Sequence, residues 1–289
     1  MRGPVHAVFA AIAKLIRRVL GIEHLAAMES RHRIVLANLA RLLLLQQGRY
    51  LDKRALASFG FKVYSQADED GFIHEIFRRI GSEHRTFLEI GVSDGRECNT
   101  RLLMRYGWRG CWIDGSSEYA EQIQKVFGPE IGSGQLNVIC SLVTLENVGL
   151  LVADTGLEGR LDLLSIDIDG NDYHILKELR DCNPRLIVLE YNPIFAPPVE
   201  WVMDYNPSHT WDGSDWYGAS LKSFEVMLGE KGYELVGCTL NGNNAFFVRR
   251  DLLGDHFVPN GSAEIHFEPQ RFWLTCAFTA GHPTDPTVR

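Results

Sequence analysis

The run Thr86-Phe87-Leu88-Glu89-Ile90-Gly91-Val92-Ser93-Asp94-Gly95 constrains the fold of this chain more than any other stretch. Phe87 to Ile90 reads as a short buried strand that ends in a turn marked by two glycines. Arg96 to Tyr106 follows with helical spacing and offers Leu102, Leu103 and Tyr106 to one face. A strand, a tight glycine turn and a helix form the opening unit of a doubly wound α/β domain. Glycine suits such a turn because the backbone must take a positive φ or let a ligand approach closely. A dinucleotide pyrophosphate calls for G-x-G-x-x-G, whereas here Ser93 and Asp94 lie between Gly91 and Gly95. The carboxylate of Glu89 at the strand end suits a ligand that carries an ammonium and ribose hydroxyls rather than phosphates.

The alternation continues beyond this unit. Gly110 to Ile113 is a second strand ending in Asp114-Gly115, where an acid is placed to bind a ribose diol. Ser117 to Phe127 is helical, Gln135 to Cys140 a third strand and Leu145 to Ala153 a helix. Leu161 to Ile166 is an apolar fourth strand running into Asp167-Ile168-Asp169-Gly170-Asn171-Asp172. Tyr173 to Leu179 is a helix, and Arg185 to Leu189 a fifth strand leading into Glu190-Tyr191-Asn192. Residues 194–218 hold prolines, acids and the aromatics Trp201, Tyr205, Trp211, Trp216 and Tyr217 without periodicity. A loop of that length and aromatic content is expected to be a substrate-side lid. Ala219 to Lys231 is a helix, and Tyr233 to Cys238 and Ala245 to Arg249 are strands joined at an Asn241-Gly242 turn.

Upstream, Asp68 to Asp70 would favour the start of a helix carrying Phe72, Ile73, Ile76, Phe77 and Ile80. Leu25, Met28, His32, Val35, Leu39 and Leu42 repeat at alternating spacings of three and four, the pattern of a helix–helix seam. Val5 to Leu20 is a basic amphipathic stretch with Lys14, Arg17 and Arg18. Residues 1–60 are therefore expected to be a helical extension that serves homo-oligomerisation, docking on the domain itself or a partner, or peripheral contact with a membrane. Residues 61–250 form the α/β domain and 251–289 a tail.

A formal net charge of −8 argues against a nucleic-acid-binding surface. Six cysteines without a C-x-x-C pair suit a reducing cytoplasm. No apolar run approaches the roughly 18 residues that span a bilayer.

Taken together, Ser65-Gln66, E-x-G-x-x-D-G at Glu89 to Gly95, Asp114, the D-I-D-G run at Asp167 to Gly170, Glu190 and the terminal hairpin resemble class I S-adenosylmethionine (SAM)-dependent methyltransferases. The FkbM-like group is the nearest in pattern, with Asp169 where that group has glutamate and Ser93 where class I enzymes have a middle glycine. The resemblance implies a Rossmann-like α/β fold with a seven-stranded, mostly parallel sheet closed by an antiparallel hairpin. It implies SAM as cofactor, held by Glu89, Gly91, Ser93, Asp94 and Gly95, by Asp114 and Gly115, and by Gln66, Ser141 and Asp167. It also implies O-methyl transfer to a hydroxyl of a sugar, glycan or natural-product scaffold.

An alcohol acceptor must lose a proton. Asp167 and Asp169 are the candidate catalytic acids, yet a free carboxylate is about 3.5 kcal/mol behind an imidazole as a base. His209 of the lid is one remedy. A divalent cation such as Mg²⁺ on Asp167, Glu190 and Asn192 is the other, since these offer the oxygen ligands it prefers. A non-catalytic SAM-binding scaffold and an NAD-dependent oxidoreductase are the competing readings.

Overall fold

A computed structural model of the chain describes residues 22–179 and 182–278. The basic stretch Val5 to Leu20 and the end of the tail lie outside the described residues. Seven strands make one sheet: β1 (Thr86–Ile90), β2 (Arg109–Asp114), β3 (Leu136–Cys140), β4 (Leu163–Ile166), β5 (Leu186–Glu190), β6 (Tyr233–Cys238) and β7 (Asn244–Arg249). Their order is β3-β2-β1-β4-β5-β7-β6. The first five run parallel, and β7 enters antiparallel between β5 and β6. That is the Rossmann-like class I methyltransferase fold expected from the sequence, terminal hairpin included. The strand order reverses between β1 and β4, which puts the switch point of the sheet at their carboxyl ends.

The parallel strands bury both faces, so alternate residues feed two cores. Leu88, Ile90, Cys111, Ile113, Leu164, Ile166, Ile187 and Leu189 point to one side, against α6 (Val148–Asp154), α7 (Asp172–Glu178) and α8 (Leu221–Glu230). Phe87, Trp112, Leu163, Leu186 and Val188 point to the other, against α2 (Glu69–Ile80), α3 (Arg101–Arg105) and α4 (Ser117–Val126). Ser116 caps α4 by accepting the Tyr119 amide at 3.3 Å, and Ser220 caps α8 by accepting that of Ser223 at 3.2 Å. The short α5 (Gly128–Gly132) follows α4 directly.

Three expectations are corrected here. The helix after the β1 turn is not Arg96 to Tyr106 but only Arg101–Arg105, because the Glu89 carboxylate holds the Asn99 and Thr100 amides and fixes the helix start there. Asp68 occupies the N-cap of α2 without making a capping bond. Instead, Asp70 gathers the amides of Val63, Tyr64 and Ser65 at 2.7, 2.6 and 2.9 Å and folds the preceding strap onto the helix.

The domain boundaries also move. Tyr50, Leu56 and Ala57 belong to the same core as Phe72 and Phe246, and so do Phe257 and Leu274 beyond residue 250. Glu268 is buried where Arg49, Tyr50 and Arg271 converge on its carboxylate, and Tyr191 donates its hydroxyl hydrogen to the Glu268 carbonyl at 2.6 Å. Residues 48–60 and 251–278 are thus part of the packed domain. Finally, α1 (Ile22–Leu45) is helical as expected, but it docks through Ala37, with Ala40, Leu44 and Leu45 packed against the core. Met28, Val35, Leu39 and Leu42 of the seam are exposed.

Candidate active site

The β1 turn closes tightly against its neighbours. The Gly91 amide donates to the Ile113 carbonyl at 2.9 Å, and the Asp167 amide donates to the Ile90 carbonyl at 3.0 Å. Gly91 has φ +82°, and a Cβ there would stand 1.7 Å from the Asp167 carbonyl oxygen. At Gly95, φ +75°, a Cβ would meet the Trp112 ring at 2.7 Å. Both glycines are therefore required by the protein's own packing, before any ligand is considered. Ser93 takes φ +49° between them, a conformation glycine adopts more readily.

In front of this turn is a cavity of about 480 Å³, lined by Gln66, Glu89, Gly91, Ser93, Asp94 and Asp167 from the expected set. Arg96, Glu97, Asn99, Asp169 and Asn244 complete much of the wall. Gly95, Asp114, Gly115 and Ser141 do not line it. Asp114 has another task, since one carboxylate oxygen accepts the Val92 and Ser93 amides at 3.1 and 2.8 Å and the other the Ser116 amide at 2.8 Å. It pins the β1 turn to the end of β2, rather than standing open for a diol. Glu89 is likewise committed: it accepts the Asn99 and Thr100 amides at 2.8 and 3.0 Å and the Thr100 hydroxyl at 2.5 Å. Burial pushes its carboxyl up to about 7, against the pull of those Thr100 and Asn99 hydrogen bonds. Asn244 donates to Glu69 at 3.0 Å, but its buried Oδ1 has no partner and is available to a ligand donor.

A second cavity of about 540 Å³ adjoins the first, and the two share Gln66, Glu97, Asp167 and Asp169. Besides Lys62, Gln66 and Glu97, its walls are the acids Asp167, Asp169 and Glu190, the loop aromatics Trp211 and Tyr217, Asn241 and Asn243 of the β6–β7 turn, and Phe272 and Thr275 of the 3-10 helix Phe272–Phe278. Trp201 and Trp216 turn away from this role and pack with Phe195, whose ring stacks on Trp201 at 4.2 Å. Asn241 is buried at 2% exposure, and neither its amide nitrogen nor its oxygen finds a protein partner. The sequence pointed to a turn at Asn241-Gly242 but not to a wall. The signal that carried more was the polar run Asn241-Gly242-Asn243-Asn244 between two apolar strands. Nothing in the local pattern at Phe272 and Thr275 marks them, because only the tertiary fold brings them to the site.

At the junction, one carboxylate oxygen each from Asp167, Asp169 and Glu190 lies within 4.8 Å of the others. Burial raises the Asp167 carboxyl well above the usual range, and the charges of Asp172, Asp169 and Glu89 add to it. Glu190 is raised in the same way, by burial first and then by Asp167. Their carboxylate oxygens lie within 4.8 Å of each other, close enough for each charge to disfavour ionisation of the other. Asp169 is the exposed member of the three, and the partial desolvation of its carboxyl raises it, with the nearby His209 ring opposing.

Two sequence candidates are displaced from the cluster. Asn192 is not a member, because its Nδ2 donates to the Asp215 and Tyr217 carbonyls at 2.8 and 2.9 Å and its Oδ1 accepts the Ile194 amide at 3.1 Å. It anchors the lid, and Asp169 takes its place among the acids. His209 does not line either cavity; its Nε2–H donates to the Asp169 carbonyl at 3.0 Å, over a Gly170 whose Cβ would meet the ring at 2.4 Å. Asp172 serves the turn itself, accepting the Ile168 and Gly170 amides at 2.9 and 3.0 Å. Asn171 ties the turn to the lid by donating to the Asn206 carbonyl at 2.8 Å.

Neither a protein-family model nor a curated protein matches this sequence. Among solved structures, magnesium protoporphyrin IX methyltransferase from Synechocystis PCC 6803 aligns with a TM-score of 0.42 and 13% identity, over 64% of this chain and 79% of that one. A SAM-dependent methyltransferase from Clostridium acetobutylicum ATCC 824 aligns with a TM-score of 0.39 and 11% identity, over 65% and 92%. A likeness of this size reaches neither substrate nor chemistry.

Proposed function

We propose that the chain is a SAM-dependent O-methyltransferase acting on a hydroxyl of a sugar, glycan or similarly polyhydroxylated scaffold. The observation that carries this reading is the pair of adjoining cavities that meet at Asp167 and Asp169. A two-substrate transfer needs its partners held in line with one reactive junction between them.

The residues of the first cavity fit SAM by chemistry. Asn244 Oδ1 and the carboxylates of Asp94 and Glu97 would accept from its ammonium and ribose hydroxyls, and Arg96 would answer its carboxylate. When bound, SAM supplies the electrophilic methyl group. In the second cavity, Trp211 and Tyr217 offer faces for a ring, and the Asn241 amide offers one donor and one acceptor to neighbouring hydroxyls. Asp167 and Glu190 then stand beside the reacting hydroxyl. Their raised carboxyls make either a better base than an ordinary carboxylate, which eases the proton's departure. Asp167, Asp169 and Glu190 would also hold a Mg²⁺ through hard oxygen ligands, and its charge would favour the ionised acceptor.

Calorimetry with SAM, and methyl transfer from labelled SAM to a panel of hydroxylated acceptors with and without EDTA, test this. Wild type is expected to bind SAM and to methylate, and Asp167→Asn to bind SAM but transfer at least about a hundredfold more slowly. SAM binding with no transfer to any acceptor would favour a binding module. NAD binding without SAM binding would favour an oxidoreductase.

A further inference from the structure

The outward face of α1 is the largest feature that the proposed reaction leaves unused. At 100° per residue, Met28, Val35, Leu39 and Leu42 fall within about 40° of the line opposite Ala37, the residue buried against the domain. Leu36 and Leu43 widen the stripe on one flank, and Val35, Leu36, Leu39, Leu42 and Leu43 are each more than half exposed. A helix clamped by one face and leucine-rich on the other presents its apolar side to something outside the described fold.

Charge distinguishes the candidates. The first 54 residues carry ten Lys and Arg against three Asp and Glu, in a chain of net charge −8, so the remainder is strongly acidic. Lys14, Arg17 and Arg18 interleave with apolar residues just ahead of α1, and Arg31, Arg33 and Lys53 are exposed. Symmetric pairing of two copies through α1 would set one basic segment against another. An anionic bilayer neutralises them instead and accepts leucines at its headgroup boundary. Width agrees with this, because Leu36 and Leu43 make the stripe broader than a two-helix seam, whose centre here would also hold His32.

We propose that α1 is a membrane-surface helix that docks the enzyme on anionic lipid and turns the acceptor cavity towards the bilayer. The 3-10 helix Phe272–Phe278 packs along α1, with Asn38 Nδ2 donating to the Ala277 carbonyl at 3.4 Å. It exposes Trp273 and Phe272, and Phe272 also lines the acceptor cavity. The 3-10 helix thus sets exposed aromatics between α1 and the rim of that cavity. Docking of α1 stands independently of the methyl-transfer reading, and only the acceptor role of the cavity rests on it.

The test is sedimentation of the full chain with vesicles of phosphatidylcholine alone and with about one third phosphatidylglycerol. About tenfold more protein is expected on the anionic vesicles, falling towards the neutral level in 0.5 M salt and in the double variant Leu39→Gln, Leu42→Gln. Both positions are exposed, so the variant should keep the wild-type melting transition, which is measured alongside. Equal sedimentation on neutral and anionic vesicles, or full binding by the folded variant, overturns the proposal. So does a dimer by light scattering that the same variant converts to monomer while vesicle binding is absent, since the stripe would then belong to a second copy.

Discussion

Asp68 carries a prediction that can be worked through in numbers. The residue is 1% exposed, and neither carboxylate oxygen has a hydrogen-bond partner. Burial, with Glu69 adding to it and Arg41 opposing, raises its carboxyl from 3.8 to about 7. Between those two values the folded protein keeps a proton that the unfolded chain has released. Stability from this group is therefore fully present below pH 3.8 and is lost progressively as pH rises to about 7. The shift of about three units sets a ceiling of about 4 kcal/mol, at 1.36 kcal/mol per unit. Asp68→Asn keeps the volume and removes the charge. At pH 8 the variant should be more stable than wild type by about 1–4 kcal/mol, the loss of the Arg41 attraction being the main subtraction. At pH 4.5 the two should lie within about 1 kcal/mol. Urea unfolding followed by tryptophan fluorescence at both pH values reads this directly. A variant less stable than wild type at pH 8, or one with the same drop between the two pH values, would refute the account of Asp68 as a buried and uncompensated charge.

Three further outcomes follow from the site. Gly91→Ala must push the Asp167 carbonyl away from a Cβ 1.7 Å distant at φ +82°, so it should cost several kcal/mol and abolish SAM binding, checked by thermal melting and calorimetry. Glu89→Gln replaces an acceptor of three hydrogen bonds by a group that must turn its amide hydrogens on one donor. It should destabilise by about 1–3 kcal/mol and weaken SAM more than it slows a saturated enzyme, read from urea midpoints and initial rates. Asn241→Leu removes two unpaired buried polar atoms and should leave urea stability equal to or above wild type, while acceptor KM rises about tenfold or more.

The sheet was legible because its strands are buried on both faces and short glycine or acidic turns separate them, so periodicity and punctuation agree at β1, β2, β4 and β5. The acids at Asp167, Asp169 and Glu190 were legible for a related reason, since strand ends converge in any open parallel sheet. Roles were less so. Asp114, Glu89 and Asn192 look like ligand groups by residue type and position, yet each spends its oxygens on backbone amides within the fold. Sequence spacing contains no account of which donors will crowd a carboxylate. His209 lies in the 194–218 loop, and its ring nitrogen is taken up by the Asp169 carbonyl, which no spacing in the sequence announces. The boundary at residue 250 failed because Phe257, Leu274 and Glu268 are packed by partners as distant as Arg49 and Tyr50, a relation no local window holds.

That long-range closure has a consequence for the order in which the two cavities come into being. The first cavity is lined by residues between Gln66 and Asn244, and much of its wall belongs to one compact βαβ unit. The acceptor cavity lacks a wall until Phe272 and Thr275 arrive, and these reach it together with a contact between Asn38 and Ala277. Joining positions so far apart carries a loop-closure entropy on the order of 5 kcal/mol if made first, and far less once the sheet has drawn the ends together. During synthesis the first cavity can therefore be assembled before Phe272 and Thr275 have been made. The second cavity gains its remaining wall only once Phe272 and Thr275 have been made and packed, so it closes after the first is already in place.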